Sequence, residues 1–194
     1  MAESSIACCD CYIGITYPTQ SELLMFDTDK TKNFYKIFTD NIFQTIVKHN
    51  GLVRRRISEG FEFYFPRTSD LGNFNAFNDA LDCCFSLVEN HNIISNEMKL
   101  NNMPEISYKV TAAYEILDLA GNLVTNKPMP TAYKIFTLTD PNASVLMIAV
   151  GLYTILIKFP EFGRYQFNQS DKTSLVGEKP NYEVYSVTRN MSTL

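Results

Sequence analysis

No apolar stretch in the sequence reaches the ~20 residues that a bilayer crossing requires. The longest, "ASVLMIAVGLYTILI", is interrupted by Gly151 and reads as a buried strand running into a helix. The opening "MAESSIACCDCYIGI" lacks a basic segment ahead of an apolar run, so it does not read as a secretory signal. Charge of one sign is lacking too: 17 Lys and Arg stand against 21 Asp and Glu, a net charge of −4. That balance excludes a general nucleic-acid surface, and neither nucleic acid nor membrane is an expected partner. There is no P-loop, no Gly-x-Gly-x-x-Gly and no Ser-His-Asp set with usable spacing. The two histidines, His49 and His91, each adjoin an Asn at an expected helix end, which suits carbonyl capping rather than catalysis. Five cysteines, an odd number without a leader, exclude a disulfide framework and point to a reducing cytoplasm. Cys8 and Cys9 are strand neighbours facing opposite ways, which argues against a shared zinc ion and for buried thiols.

What is present is a legible order of elements. With 194 residues and no repeat, low-complexity tract or linker, residues 1–194 read as one domain. Ile6 to Ile15 is a strand, bounded by Gly14 and then Pro18. Thr31 to Asn50 follows a helical period, with Phe34, Ile37, Phe38, Ile42, Ile46 and Val47 on one stripe and Gly51 as the stop. Leu52 to Ile57 is a strand, and Phe61, Phe63 and Phe65 alternate along its hairpin partner. A helix over Asn75 to Asn92 and a long strand through Ile106 to Ile116 follow. Beyond Gly121 the pattern predicts a helix at Ala132 to Leu138, a strand at Val145 to Ile148 and a helix at Leu152 to Ile157. Strands near Arg164 to Phe167 and at Tyr182 to Val187 close the chain. This order predicts an α+β fold, an α/β sandwich with a ferredoxin-like βαββαβ palm core and a C-terminal αβαββ extension. The first and third strands then lie side by side in the middle of the sheet.

That adjacency gives meaning to "RRRISEGFEFYF", where Glu59 tips the hairpin. The strand holding Asp10 runs beside it, and two carboxylates so placed can hold one or two Mg2+ or Mn2+ ions. Such ions activate a hydroxyl, clamp a triphosphate and stabilise leaving pyrophosphate. The plainer reading makes Glu59 a solvated turn residue and Asp10 a local cap. Arg54, Arg55 and Arg56 lie on the strand before the tip, so alternation sets Arg55 opposite to its neighbours. Arg55 is then either a donor to a base carbonyl or phosphate, or part of a solvated, salt-bridged face.

Four stretches, "ACCDCYIGIT", "IVKHNGLVRRRISEGFEFYF", "AYKIFTLTDPNASVLMIAVGLYTIL" and "SLVGEKPNYEVYSV", resemble in order the segments of the class III nucleotidyl cyclase catalytic domain. The resemblance runs almost end to end, with one extra residue between Asp10 and Gly14. It implies a cytoplasmic adenylate/guanylate cyclase-like domain that pairs head to tail, as a homodimer or as a heterodimer with another cyclase-like chain. It also implies two divalent ions at Asp10 and Glu59, and conversion of a nucleoside triphosphate to a cyclic nucleotide and pyrophosphate in cyclic-nucleotide signalling. The departures are chemical. Glu59 stands where the family has its second metal Asp, after Ser58 in place of Gly. Tyr133 and Thr137 stand where the family keeps its transition-state Asn and Arg, leaving no confident catalytic residue. Val176 occupies the triphosphate Lys position, flanked by Lys172 and Lys179, and Lys134 adjoins Tyr133. Arg55, Lys134, Lys172 and Lys179 are therefore the candidate nucleotide contacts. Two functions follow: a divergent cyclase, or a cyclase-fold protein without catalysis that binds nucleotide, dimerises, regulates or completes a heterodimer.

Overall fold

The computed structural model describes residues 4–57, 59–120, 123–124, 130–139, 146–170 and 183–189. Its elements are strands β1 (Ser4–Tyr17), β2 (Leu52–Ile57), β3 (Gly60–Phe65), β4 (Ser107–Ala120), β5 (Leu123–Val124), β6 (Leu146–Ala149), β7 (Tyr165–Gln169) and β8 (Val184–Arg189). The helices are α1 (Gln20–Leu23), α2 (Thr28–Lys48), α3 (Phe74–Glu89), α4 (His91–Leu100), α5 (Thr131–Leu138) and α6 (Val150–Leu156), with 3-10 turns at Pro66–Ser69 and Pro160–Arg164. The strands form one sheet in the order β2-β3-β1-β4-β6-β8-β7, with β5 folded back on β4. The first four strands are the antiparallel palm core expected, with β1 and β3 adjacent in the middle. Parallel pairing of β4 with β6 carries the chain into its C-terminal extension.

Alternation on the strands sorts side chains into two layers. Cys9, Cys11 and Ile13 of β1 oppose Phe65, Phe63 and Phe61 of β3 on one side and Tyr114, Ala112 and Val110 of β4 on the other. This face packs with Phe34, Phe38 and Ile42 of α2, Phe77 and Leu81 of α3, and Leu152 of α6 as the main core. The five cysteines are free thiols and all are buried. Helix α2 begins where the Asp27 carboxylate accepts from Lys30 N–H, at 2.8 Å. It ends where Asn50 turns to a φ of 63° and Gly51 N–H bonds the Ile46 carbonyl. Val47, expected on the buried stripe, is 53 % exposed, because the helical period places it with exposed Phe43 on the side of α2 opposite Phe34, Phe38 and Ile42.

Among the described residues the opposite face is covered by α5, through Ala132 and Ile135 on Tyr12, Ala113 and Met147. The side chains of β4 on that face fasten the helix at both ends. The Glu115 carboxylate accepts from the Thr131 N–H and hydroxyl at the helix start, the latter at 2.6 Å. Buried Lys109 donates to the Phe136 and Thr139 carbonyls at its end, both at 2.7 Å. Anion at the N-terminus and cation at the C-terminus is the arrangement the helix dipole favours.

Three details differ from the sequence expectation. The helix foreseen to Asn92 stops at Glu89, and Asn90 is at once its last cap and the start of α4, with no Gly or Pro to mark the break. Helix α1 was not foreseen, being a single turn closed by a Thr19–Glu22 capping box. The last strand runs from Val184 to Arg189 rather than ending at Val187, and Tyr182 lies outside the described residues.

At the β1–β3 crossing Gly14 opposes Gly60, and a Cβ on Gly60 would collide with the Ile13 carbonyl oxygen and with Gly14 Cα at 2.9 Å. Both obstacles are backbone, which cannot step aside. Gly60→Ala is therefore expected to lower stability by about 2–3 kcal/mol, read from the urea midpoint. Val47→Gln, on the exposed side of α2, is expected to stay within about 0.5 kcal/mol.

Candidate functional site

The polar centre of the α5-side face begins with an irregularity in β2. Val53 opposes Phe63 and Arg55 opposes Glu62, so Arg54 is the extra residue of a bulge. The bulge overturns the expected alternation: Arg54 and Arg55 both turn to Glu62 instead of facing opposite ways. Arg54 Nη2 lies 3.0 Å from Glu62 Oε2, and Arg55 Nη2 lies 2.8 Å from Oε1. The two arginines differ in burial, with side chains 8 % and 57 % exposed. Arg54 is an internal cation, whereas Arg55 spends its charge on a strand-face ion pair.

Asp10 lies beside them, in the middle of β1 and 1 % exposed. Neither of its oxygens has a hydrogen-bond partner among the described residues. Its nearest cation is Arg54, with Nη1 3.8 Å from Oδ1. Burial pushes the Asp10 carboxyl well above the usual carboxylate range; Arg54 pulls it back in part, while Glu115 and Glu62 push it further up.

Glu59 sits elsewhere. Its carbonyl accepts from Ile15 N–H at 2.8 Å, which fixes the hairpin tip five residues beyond Asp10 along β1. At the rise of an extended strand this is roughly 16 Å, so the expected carboxylate pair is not brought together. β1 runs on past Asp10 to Tyr17, and it is Gly14, not Asp10, that meets the tip. A Cβ on Gly14 would lie 2.7 Å from both the Phe136 and the Tyr12 ring, so aromatic carbon fills the space on the α5 side. Asp10 and Glu59 do not fit a shared Mg2+ or Mn2+. Among the described residues no group of three or more His, Cys, Asp or Glu side chains is placed to hold a metal. Half-buried Glu59 instead lines a cleft of about 200 Å³ between the end of β1, α1 and α2, with Thr16, Leu23 and Tyr35.

The remaining candidates fall on α5 or beyond it. Tyr133 packs edge-on to Tyr12 with ring centroids 4.9 Å apart, in the small core under the helix. The exposed Thr137 hydroxyl donates to the Lys134 carbonyl at 2.8 Å, and Lys134 itself is half-buried. Lys172, Lys179 and Val176 lie outside the described residues. Sequence reasoning passed over Glu62, Lys109 and Glu115. All three lie on the polar half of a strand alternation that reads as solvent-facing; α5 is fastened by Lys109 and Glu115, and Glu62 is paired with Arg54 and Arg55.

Because the folded pKa of Asp10 lies above that of an exposed Asp, its neutral form contributes stability at low pH. That contribution is lost as the pH rises through the folded value. Asp10→Asn is expected to remove the loss and flatten the fall of stability with rising pH above about pH 4, measured by urea titration at each pH. An unchanged slope would place the titration elsewhere. Arg54→Ala, which leaves Glu62 with Arg55 alone and takes from Asp10 the guanidinium 3.8 Å away, is expected to cost about 3–5 kcal/mol.

No family model matches the sequence, and no curated protein does. Solved structures do match in three dimensions. The adenylyl cyclase CyaB from P. aeruginosa superposes with a TM-score of 0.77 at 8 % identity, over 100 % of each chain. The guanylyl cyclase Cya2 gives 0.76 at 12 % identity, over 100 % of this chain and 97 % of its own. The catalytic core of a rhodopsin-guanylyl cyclase with converted specificity, in complex with ATPalphaS, gives 0.71 at 10 % identity over 97 % and 99 %. Together with the strand order and the α5-covered sheet, these likenesses assign the chain the fold of the class III nucleotidyl cyclase catalytic domain.

Proposed function

We propose that this protein is a cyclase-fold chain without cyclase chemistry, acting as a dimerisation or regulatory partner. The observation that carries this reading is the register of β1 on β3, which separates Asp10 from Glu59 and sets Gly14 beside the hairpin tip. In-line cyclisation with two ions needs carboxylates converging on one spot to activate the ribose hydroxyl and steady pyrophosphate. Here one carboxylate is buried against a guanidinium and the other opens onto a separate cleft. Two further features support the same reading. Tyr133 is spent on core packing, and Thr137 offers no cation to charge building on a triphosphate. A partner chain with its own intact residues would suit such a protein, in a pair of like or unlike subunits.

Purified protein incubated with Mn2+ and each of the four nucleoside triphosphates is expected to form neither cyclic nucleotide nor pyrophosphate above a protein-free control. EDTA is expected to leave the thermal midpoint unchanged. Product formation that disappears in both Asp10→Ala and Glu59→Ala would overturn the reading and establish the alternative, a divergent cyclase.

A further inference from the structure

We propose that the cleft under the hairpin tip, with the exposed loop beside it, docks a basic side chain of a partner polypeptide flanked by apolar residues. The cleft is small, about 200 Å³, and its inner walls include the apolar side chains of Ile15, Pro18 and Leu23. Of the described residues that line it, Glu59 alone carries a charge. A lysine is suited to such a site, because its methylene stem packs on apolar walls while the ammonium reaches a carboxylate.

An anion is not suited. The backbone N–H of Thr19, at the mouth of the cleft, is bonded to Glu22 Oε2 at 2.8 Å. The Thr19 hydroxyl is bonded to the same oxygen at 2.7 Å. The Thr19 and Glu22 N–H groups are thus bonded within the capping box, which adds a second carboxylate at this corner. A phosphate would meet negative charge and no free amide at Thr19. Burial and the charge of Glu59 both keep the Tyr35 phenol protonated, so it adds a neutral hydroxyl.

The exposed side chains that adjoin the lining residues in the chain favour a peptide over a free amine. Tyr17, between the lining residues Thr16 and Pro18, is 44 % exposed. Leu24 and Met25, which follow Leu23 directly, are 78 % and 86 % exposed, and Phe26 is 37 % exposed. Apolar and aromatic side chains around a polar anchor, with adaptable Met among them, form the usual composition of a protein-binding surface. A free amine would leave this rim in water; a peptide with apolar residues on either side of its Lys covers it.

The test is an amide NMR titration of the full chain with a blocked pentapeptide, acetyl-Gly-Leu-Lys-Phe-Gly-amide, beside its Lys→norleucine and Lys→Glu counterparts. The Lys peptide is expected to shift the Ile15, Thr16 and Glu59 amides, and the two counterparts to leave them in place. Glu59→Gln is expected to weaken binding about tenfold, the scale of one charge-assisted contact, with the rest of the spectrum retained. Met25→Ser is expected to weaken it independently. Equal binding of the norleucine peptide, wild-type affinity in Glu59→Gln, or no shift at the highest soluble concentration would overturn the proposal. Glu59-dependent shifts caused by Mg2+ and ATP would overturn it in favour of a nucleotide. Sedimentation with phosphatidylcholine–phosphatidylserine vesicles that Met25→Ser abolishes would overturn it in favour of a lipid surface.

Discussion

A carboxylate taken out of water must meet a cation or a proton, and on the α5-side face of this sheet both solutions are used at once. The Arg54 guanidinium reaches Glu62 at 3.0 Å and Asp10 at 3.8 Å. Glu62 also receives Arg55, whereas Asp10 pairs with no other cation among the described residues and its carboxyl is raised well above the usual range by burial. The bulge in β2 follows from the same need. Without an extra residue, Arg54 and Arg55 would face opposite ways, and only one could reach Glu62. A local backbone irregularity therefore solves an electrostatic problem set by two acidic residues on neighbouring strands.

The same face explains why α5 holds its place. Eight residues form a helix too short to be stable by itself, and this one starts after Pro130 with no side-chain cap of its own. Glu115 and Lys109 supply the missing partners from β4. The helix in turn covers Tyr12 and buries Lys109, one of the two charged groups that fasten it. Strand and helix stabilise each other, which makes this layer a fastening built from charge where the other layer is built from phenylalanine and isoleucine.

Much of the architecture was legible because hydrophobic period reports one face of each element directly. Phe61, Phe63 and Phe65 revealed β3, and Phe34, Ile37, Phe38 and Ile42 revealed α2. The candidate site was legible only in part, for three physical reasons. Alternation tells which residues share a face and not whether that face is covered, so Glu62 and Lys109 read as solvated. It also assumes an unbroken ladder, so the bulge reversed Arg55. Adjacency of β1 and β3 followed from topology, but where the tip meets β1 depends on register, and the close Gly14–Gly60 pairing sets it. A shift of a few residues along one strand separates two carboxylates that their order in the chain had made neighbours.

That shift reaches from packing to chemistry. A cyclase fold turns two acidic side chains into a catalyst only when the strands carry them to one point with room for ions. In this chain the point is occupied by glycine and by the rings of Tyr12 and Phe136, and Asp10, further back along β1, is buried beside the Arg54 guanidinium. Glu59 keeps its carboxylate at the mouth of a cleft, where the first donor of α1 is already satisfied. A carboxylate at that spot repels phosphate and attracts an ammonium, the ligand proposed for the hairpin tip.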